Sequence, residues 1–162
     1  DAEFQHMYDQ CMENPNITYH GFQPHEVVRE QLSNSHILAY PCIWQETSCR
    51  ALIEAMSAGL LCVHPNFAAL PDTSGGLNLM YQADYKPETH ANIFYSVLHS
   101  AISQIQENNL DNYLRYVKTY ADNRFNINKI VSQWEFTMRD LLIKYPTTES
   151  RAFLKDMFVF KT

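Results

Sequence analysis

Short apolar runs alternate with helical segments in the first half of the chain, and each of the first three runs ends at a glycine or a proline. Runs of this kind are typical of buried strands. Strand–helix–strand alternation with nearly continuous apolar strands predicts a parallel sheet that helices cover on both faces. The predicted strands are Ile17–His20, His36–Tyr40, Leu60–His64 and Leu77–Tyr81.

Apolar residues at helical spacing fill the intervals between these runs and dominate the second half of the chain. We expect each apolar stripe to pack into the core rather than to face a partner. One helix is expected to start at a cap formed by Thr47 or Ser48 and to end at Gly59. The other predicted helices span 1–13, 24–33, 88–107, 109–123 and 126–144, with a shorter one at 149–160.

The predicted fold class is therefore α/β: a Rossmann-like three-layer sandwich with a parallel sheet, followed by C-terminal helices. A chain of 162 residues suits a single domain. No apolar run approaches the ~20 residues of a membrane-spanning helix. The first residues also lack the basic end and apolar stretch of a signal peptide. We therefore expect no transmembrane segment, and the cysteine pattern described below leads us to expect a cytoplasmic location.

Charge is unevenly divided along a chain whose net charge is −6. Residues 1–85 contain ten acidic residues but only two basic ones, Arg29 and Arg50, whereas residues 86–162 contain eight acidic and ten basic residues. No basic cluster with interleaved aromatic residues is present, so we do not expect a nucleic-acid partner. The four cysteines show no metal-binding spacing and the seven histidines no HExxH pattern. We expect no metal site and a reducing compartment.

Two glutamates, Glu46 and Glu54, stand eight positions apart across the end of a strand and the start of the next helix. A helical rise of 1.5 Å per residue predicts a separation of roughly 12 Å. Paired carboxylates that flank one glycosidic bond need about 5–9.5 Å. The spacing thus disfavours a glycoside hydrolase and suits contact with two ends of an extended ligand. On spacing alone, two solvated glutamates remain the simpler interpretation.

The start of the same helix predicts an anion site. Unpaired backbone N–H groups of Thr47, Ser48 and Cys49, together with the helix dipole, favour phosphate. Arg50 on the first turn could approach the same phosphate, and the Cys49 thiol could have a lowered pKa there. Open α/β sheets bind ligands at the carboxyl ends of their strands, which is where this helix begins. Glu54 could accept hydrogen bonds from vicinal hydroxyl groups such as those of a ribose.

The order of these features resembles the C-terminal domain of retaining glycosyltransferases of the two-Rossmann (GT-B) type, specifically the large family four. The family pattern is a strand ending in Gly, a helix, a strand ending in Pro, Glu-x7-Glu-Ala-x-Ala-x-Gly, and a later Gly-Gly-x-Pro-Glu loop. About sixty residues of this chain follow that order and spacing. The segments that carry the resemblance are Ile17–Gly21, Ile37–Pro41, Glu46 with Glu54, Ala55–Gly59 and Ala68–Asp72.

The resemblance implies that residues 1–162 form one Rossmann-like domain, the C-terminal half of a two-domain enzyme, without its first strand or strands and without the N-terminal domain. It implies retaining transfer from a nucleotide-activated sugar, for example a UDP-sugar, to an unknown glycan, lipid or protein acceptor, with no metal and no cofactor. By position, Glu54 would bind the ribose and Glu46 would contact the donor sugar as the catalytic residue. The backbone of Thr47–Cys49 would hold the sugar or the diphosphate.

The chain departs from the family pattern in three places. Thr47–Cys49 stands where the family often has Gly-Phe-Gly, and Ala68-Ala69 replaces the Gly-Gly of the later loop. The Arg and Lys that neutralise the diphosphate in the family would lie upstream of Asp1. We therefore expect weak or no transferase activity from these residues alone. A non-catalytic Rossmann-like protein-interaction module stays open as the alternative, and a sugar-nucleotide epimerase has less support.

Overall fold

The computed structural model describes residues 2–107 and 109–145. A single 3-10 turn, Ala2–Phe4, leads into the first helix. The helices are α1 (Gln5–Glu13), α2 (His25–Ser33), α3 (Arg50–Ala58), α4 (Leu70–Ser74), α5 (Pro87–Glu107), α6 (Asp111–Arg124) and α7 (Ile127–Lys144), and the strands are β1 (Ile37–Ala39), β2 (Leu61–Pro65) and β3 (Leu79–Tyr81).

The three strands form one parallel sheet in the order β1-β2-β3. In the ladder, Ile37 pairs with Leu61 and Val63 pairs with Leu79. Every residue of β2 is buried, because α3 and α6 cover one face of the sheet and α5 covers the other. This arrangement confirms the predicted α/β class with a parallel sheet and C-terminal helices.

Helix α3 is held by a fully buried face. Leu52, Ala55 and Met56 recur at helical spacing and are completely inaccessible to solvent. Gly59 ends the helix in the left-handed conformation, at a φ of 88°, as its position predicts. The opposite side of the helix is left to carry polar residues, so the burial of one face fixes which way the others point.

A polar contact near the end of α3, at Ser57, also joins this helix to α6. The Ser57 hydroxyl donates a hydrogen bond to Oδ1 of Asp122 at 2.5 Å, and Lys118 forms an ion pair with Oδ2 of Asp122 at 3.0 Å. Lys118 also donates to the backbone carbonyl of Ser57. Together with buried Val117 and Ala121, these contacts hold α6 against α3.

The predicted strand Ile17–His20 is wrong. The segment has no regular structure, and both Ile17 and Tyr19 are exposed. A strand needs a neighbour for its backbone hydrogen bonds, and no segment of residues 2–107 or 109–145 pairs with this one. The aromatic contact that this segment makes with the described residues is local, between the rings of Tyr8 and Tyr19 at 5.5 Å.

Helix α3 begins later than predicted. Its N-cap is Cys49, which makes no side-chain capping bond, whereas Thr47 and Ser48 lie in the preceding loop with exposed side chains. The reason is that Cys49 is buried in the core next to Leu52 and thereby anchors the chain just before the helix. The short helix α4 was not predicted from the sequence.

The stripe on α7 does not pack as expected. No residue of this helix is buried against the described part of the chain, and Ile127, Val131 and Trp134 of the stripe are exposed. The stripe on α5 does pack, through Ile93, Val97 and other residues of the α5 face of the core. The predicted helix at 149–160 lies outside the described residues. None of the described helices has the length and apolar character that crossing a bilayer requires.

His64 is a buried polar residue in the centre of the sheet. It is fully inaccessible, its Nδ1 lies 3.0 Å from the carbonyl oxygen of Pro65, and its Nε2 has no partner within the described residues. Burial lowers the pKa of His64 from its ordinary value of 6.5, although the hydrogen bond to Pro65 opposes part of the effect. The folded chain therefore holds this imidazole neutral where the unfolded chain would protonate it.

We predict that His64→Leu makes the fold less sensitive to mild acid. Below about pH 6.5 the unfolded chain binds a proton at His64 that the folded chain does not, so the free energy of unfolding falls as pH falls. The slope due to this residue should approach ~1.4 kcal/mol per pH unit until the lower folded pKa is reached. Urea unfolding between about pH 5 and pH 7.5 measures this slope.

The matched control is His99→Leu, which replaces an exposed histidine of α5. It should keep the wild-type dependence on pH, whereas His64→Leu should flatten it. Equal slopes in all three proteins would show that His64 does not control acid stability.

Candidate functional site

The loops that follow the three strands meet at one edge of the sheet, as parallel strands require. The N–H of Asn66 donates to the carbonyl of Tyr81 at 2.7 Å, and the N–H of Ala69 donates to the carbonyl of Glu46 at 3.1 Å. These bonds tie the loop after β2 to the end of β3 and to the loop after β1. The loops span residues 40–49 after β1, 66–69 after β2 and 82–86 after β3.

Glu46 lies in the first of these loops and is oriented by Tyr40. The Tyr40 hydroxyl donates a hydrogen bond to Oε1 of Glu46 at 2.8 Å, and the Glu46 side chain is half-buried. Burial is the main cause that raises the pKa of Tyr40, and the bond to Glu46 adds to it, so the hydroxyl keeps its proton. The carboxylate is thus fixed through one oxygen by a permanent donor.

Glu54 lies one turn into α3 and is oriented by two donors. Nε of Arg50 approaches Oε1 of Glu54 to 2.6 Å, and Nε2 of His25 approaches the same oxygen to 2.8 Å. No hydrogen bond within the described residues involves the second oxygen, Oε2. The Glu54 side chain is 24% exposed and that of Arg50 is 71% exposed, so this ion pair lies at the surface.

The electrostatics of Glu54 favour its ionised form. Burial on its own raises the pKa of the carboxyl group. Hydrogen bonds from Arg50 and His25 and the positive charge of Arg50 outweigh that effect, so the pKa of Glu54 is lowered. The site therefore presents a negatively charged acceptor at neutral pH.

The structure brings together some of the predicted residues but not all. Arg50 and Glu54 form a pair, as their i,i+4 spacing allows. Glu46 and Glu54 share no contact. The separation predicted from the helical rise per residue does not hold for them, because residues 46–49 precede the helix. His25 was missed, since a contact with a residue 29 positions away leaves no local pattern in the sequence.

The backbone N–H groups of the predicted anion site lie in the loop before α3 rather than on its first turn. Thr47 and Ser48 are outside the helix, and their N–H groups, like that of Cys49, have no hydrogen-bond partner among residues 2–107 and 109–145. The helix dipole begins at Arg50, so the first-turn N–H groups of Arg50 and Ala51 lie closest to its positive end. Loop and helix together still offer several backbone donors on one short stretch.

Cys49 does not have the lowered pKa that its position suggests. Its side chain is only 2% exposed, and burial raises the pKa of the thiol. Hydrogen bonds from the N–H of Leu52 and from Tyr40 favour the thiolate but do not compensate. The residue is a core side chain in this structure, like Cys62 on the neighbouring strand.

Ala68, in the loop after β2, has an unusual backbone. Its φ is 49°, in the left-handed region that L side chains rarely adopt. The resemblance noted above places a glycine at this position, and glycine is the residue that reaches this conformation without strain. The next residue, Ala69, has a φ of −84° and precedes α4. Only the first of the two alanines is therefore strained.

A cavity of about 520 Å³ opens at the same edge of the sheet. It lies between the loops and the start of α5, and none of Glu46, Thr47–Cys49, Arg50 or Glu54 lines it. Sequence reasoning missed it, because its wall comes from four separate segments of the chain. Within the described residues, no group of three or more His, Cys, Asp or Glu side chains could hold a metal ion.

A family comparison covers the part of the chain that carries the two glutamates. Residues 1–75 are similar to the family described as glycosyl transferases group 1. No curated protein matches the chain. The matched segment runs from α1 to α4 and contains Glu46 and Glu54. It supports glycosyltransferase activity in general and, together with the parallel sheet, a protein of the GT-B type.

We predict that Ala68→Gly gives a more stable protein than Ala69→Gly, by about 1–2 kcal/mol. Both changes make the unfolded chain more flexible by a similar amount, but only the first relieves a left-handed alanine. Chemical unfolding of the two variants in parallel provides the measurement. Equal stability would mean that Ala68 carries no strain.

Proposed function

We propose that this chain binds a nucleotide-activated sugar and forms the donor-binding part of a retaining glycosyltransferase. The proposal rests on the charge and the hydrogen bonds of the Glu54 carboxylate. Its carboxylate is ionised, is held through one oxygen by Arg50 and His25, and keeps its second oxygen open at a partly exposed site. The similarity of residues 1–75 to glycosyl transferases adds support.

Glu54 suits a ribose because its free oxygen can accept hydrogen bonds from adjacent hydroxyl groups. Hydrogen bonds to a charged acceptor are stronger than those between neutral groups. Since Arg50 and His25 already fix the carboxylate plane, little side-chain entropy is lost when the ligand binds. Both donors thus act as positioning residues for the ribose.

Arg50 and the neighbouring backbone suit the diphosphate. The guanidinium uses Nε toward Glu54 and is largely exposed, so its other N–H groups can reach a phosphate beside the ribose. The free N–H groups of Thr47–Cys49 add neutral donors. Arg29 is the only other basic residue before Lys86. We therefore propose that a second domain and basic residues outside this chain complete the phosphate site.

Glu46 is proposed to contact the donor sugar. Tyr40 holds one oxygen of its carboxylate, and the loop that carries it is tied to Ala69 through the Glu46 carbonyl. A fixed negative charge at this edge can orient sugar hydroxyl groups and stabilise positive charge that develops at the anomeric carbon. We further propose that the donor sugar is transferred in the cytoplasm to a glycan, lipid or protein acceptor. The transfer retains the anomeric configuration and uses no metal or cofactor.

The second candidate function is a non-catalytic protein-interaction module. The apolar side chains exposed along α7 favour it, because monomeric surfaces rarely keep such residues together without a partner. The two candidates differ in one property, the binding of a nucleotide.

We predict that Glu54→Gln weakens nucleoside diphosphate binding at least tenfold. The substitution removes the negative charge that accepts the ribose hydroxyl groups while keeping the size of the side chain. Calorimetric titration of the chain with uridine, guanosine, adenosine and cytidine diphosphates measures the effect on the tightest ligand.

Glu30→Gln is the matched control, because Glu30 is an exposed glutamate on the neighbouring helix α2. It should bind like the wild type. If no nucleotide binds the wild type, or if Glu54→Gln binds as tightly as Glu30→Gln, the donor role is excluded and the interaction module is favoured.

A further inference from the structure

The cavity beside α5 has the volume and the position of a small-molecule site. Its volume of about 520 Å³ lies within the range of roughly 300–1,000 Å³ of small-molecule pockets. It opens where β1, β2 and β3 end, the edge at which open α/β sheets bind ligands. Because none of the residues proposed to hold the donor lines it, it is a separate site.

The wall of the cavity is apolar and partly aromatic. Phe67 follows β2, Ile43 follows β1, and Phe94 projects from α5. Pro41 and Pro87 add rigid apolar surface. Because these side chains form one apolar wall, they favour a ligand with an apolar body. Each methylene group of the ligand that is buried there can tighten binding up to about fourfold.

The charge of the wall disfavours anions. Among the described residues, no lysine or arginine lines the cavity, and Asp84 is the one acidic residue of its wall. Oδ1 of Asp84 accepts a hydrogen bond from the backbone N–H of Lys86 at 2.7 Å, which fixes the carboxylate at the end of the β3 loop. A phosphate or a carboxylate would meet the like charge of Asp84, and no lysine or arginine among the described lining residues offsets it.

The polar part of the wall favours hydroxyl groups instead. The Gln82 amide can donate and accept hydrogen bonds, and the Asp84 carboxylate can accept them, beside the apolar surface. His90 also contributes to the wall and is held by Tyr81, whose hydroxyl lies 3.0 Å from Nε2 of the imidazole. His90 and Tyr81 are both buried, so this polar end of the cavity is rigid.

Exposed aromatic side chains belong to the wall of the cavity or follow a wall residue in sequence. Tyr85 lines the cavity and is 99% exposed, and Trp44, the residue after Ile43 of the wall, is 75% exposed. An alkyl chain that emerges from the cavity can lie against the exposed ring of Tyr85. We propose that the cavity binds an uncharged amphiphile, an alkyl or acyl chain that carries a hydroxylated head group.

Trp44 serves as the probe of this site because it follows Ile43 of the wall directly in sequence. The chain has two tryptophans, and Trp134 is exposed on α7, so Trp134→Phe leaves Trp44 as the sole reporter. Octyl β-glucoside, kept below its micelle-forming concentration, should give a saturable blue shift of the emission. Methyl β-glucoside, which lacks the chain, should give none, and octanoate, which is anionic, should bind at least tenfold more weakly.

A matched pair of variants shows whether the amphiphile binds in the cavity. Ala91→Phe places a ring in the cavity from an exposed position of α5, whereas Ser96→Phe places the same ring on the same helix away from it. Ala91→Phe should abolish the octyl β-glucoside shift, and Ser96→Phe should keep it. Tyr85→Ala should weaken binding several-fold without affecting the fold.

The inference is overturned if octyl β-glucoside gives no saturable shift, if Ala91→Phe and Ser96→Phe behave alike, or if octanoate or methyl β-glucoside binds as tightly. Titration of the Ala91→Phe variant with nucleoside diphosphate reports separately on the donor site. Its result should equal that of the parent protein, because the two sites share no residue.

Discussion

The burial of one face of α3 is the constraint on which the rest of the structure depends. Leu52, Ala55 and Met56 are sealed between the sheet and α6, which fixes the rotation of the helix about its axis. The Glu54 side chain then points toward α2. There it contacts His25 of α2 and Arg50 of its own helix. A core contact thereby determines the direction of the charged group that we assign to the ligand.

The sequence predicts the α/β class well, because buried strands and amphipathic helices leave strong local patterns. It fails where structure depends on a neighbour. Ile17–His20 has strand-forming residues but no strand beside it, and so forms no ladder. The apolar stripe of α7 predicts a buried face without specifying what covers it, and the described chain does not. The start of α3 was misplaced because a buried cysteine, rather than a polar cap, anchors it.

In the candidate site, too, some features could be predicted from the sequence and others could not. The pair of Arg50 and Glu54 could be expected from its helical spacing, and the conformation of Ala68 from the glycine of the family pattern. Three other features could not be expected from the sequence. They are the hydrogen bond between Tyr40 and Glu46, the approach of His25 to Glu54, and the cavity beside α5. Each of these joins residues from different elements, so it exists only after the sheet has assembled.

The most direct measurement compares the tightest-binding nucleoside diphosphate with its 2′,3′-dideoxy analogue, in the wild type and in Glu54→Gln. If the open carboxylate oxygen holds the ribose, loss of the hydroxyl groups should cost the wild type at least tenfold in affinity and should cost the variant little. Equal losses in both proteins would show that the ribose hydroxyl groups bind elsewhere and would contradict the account.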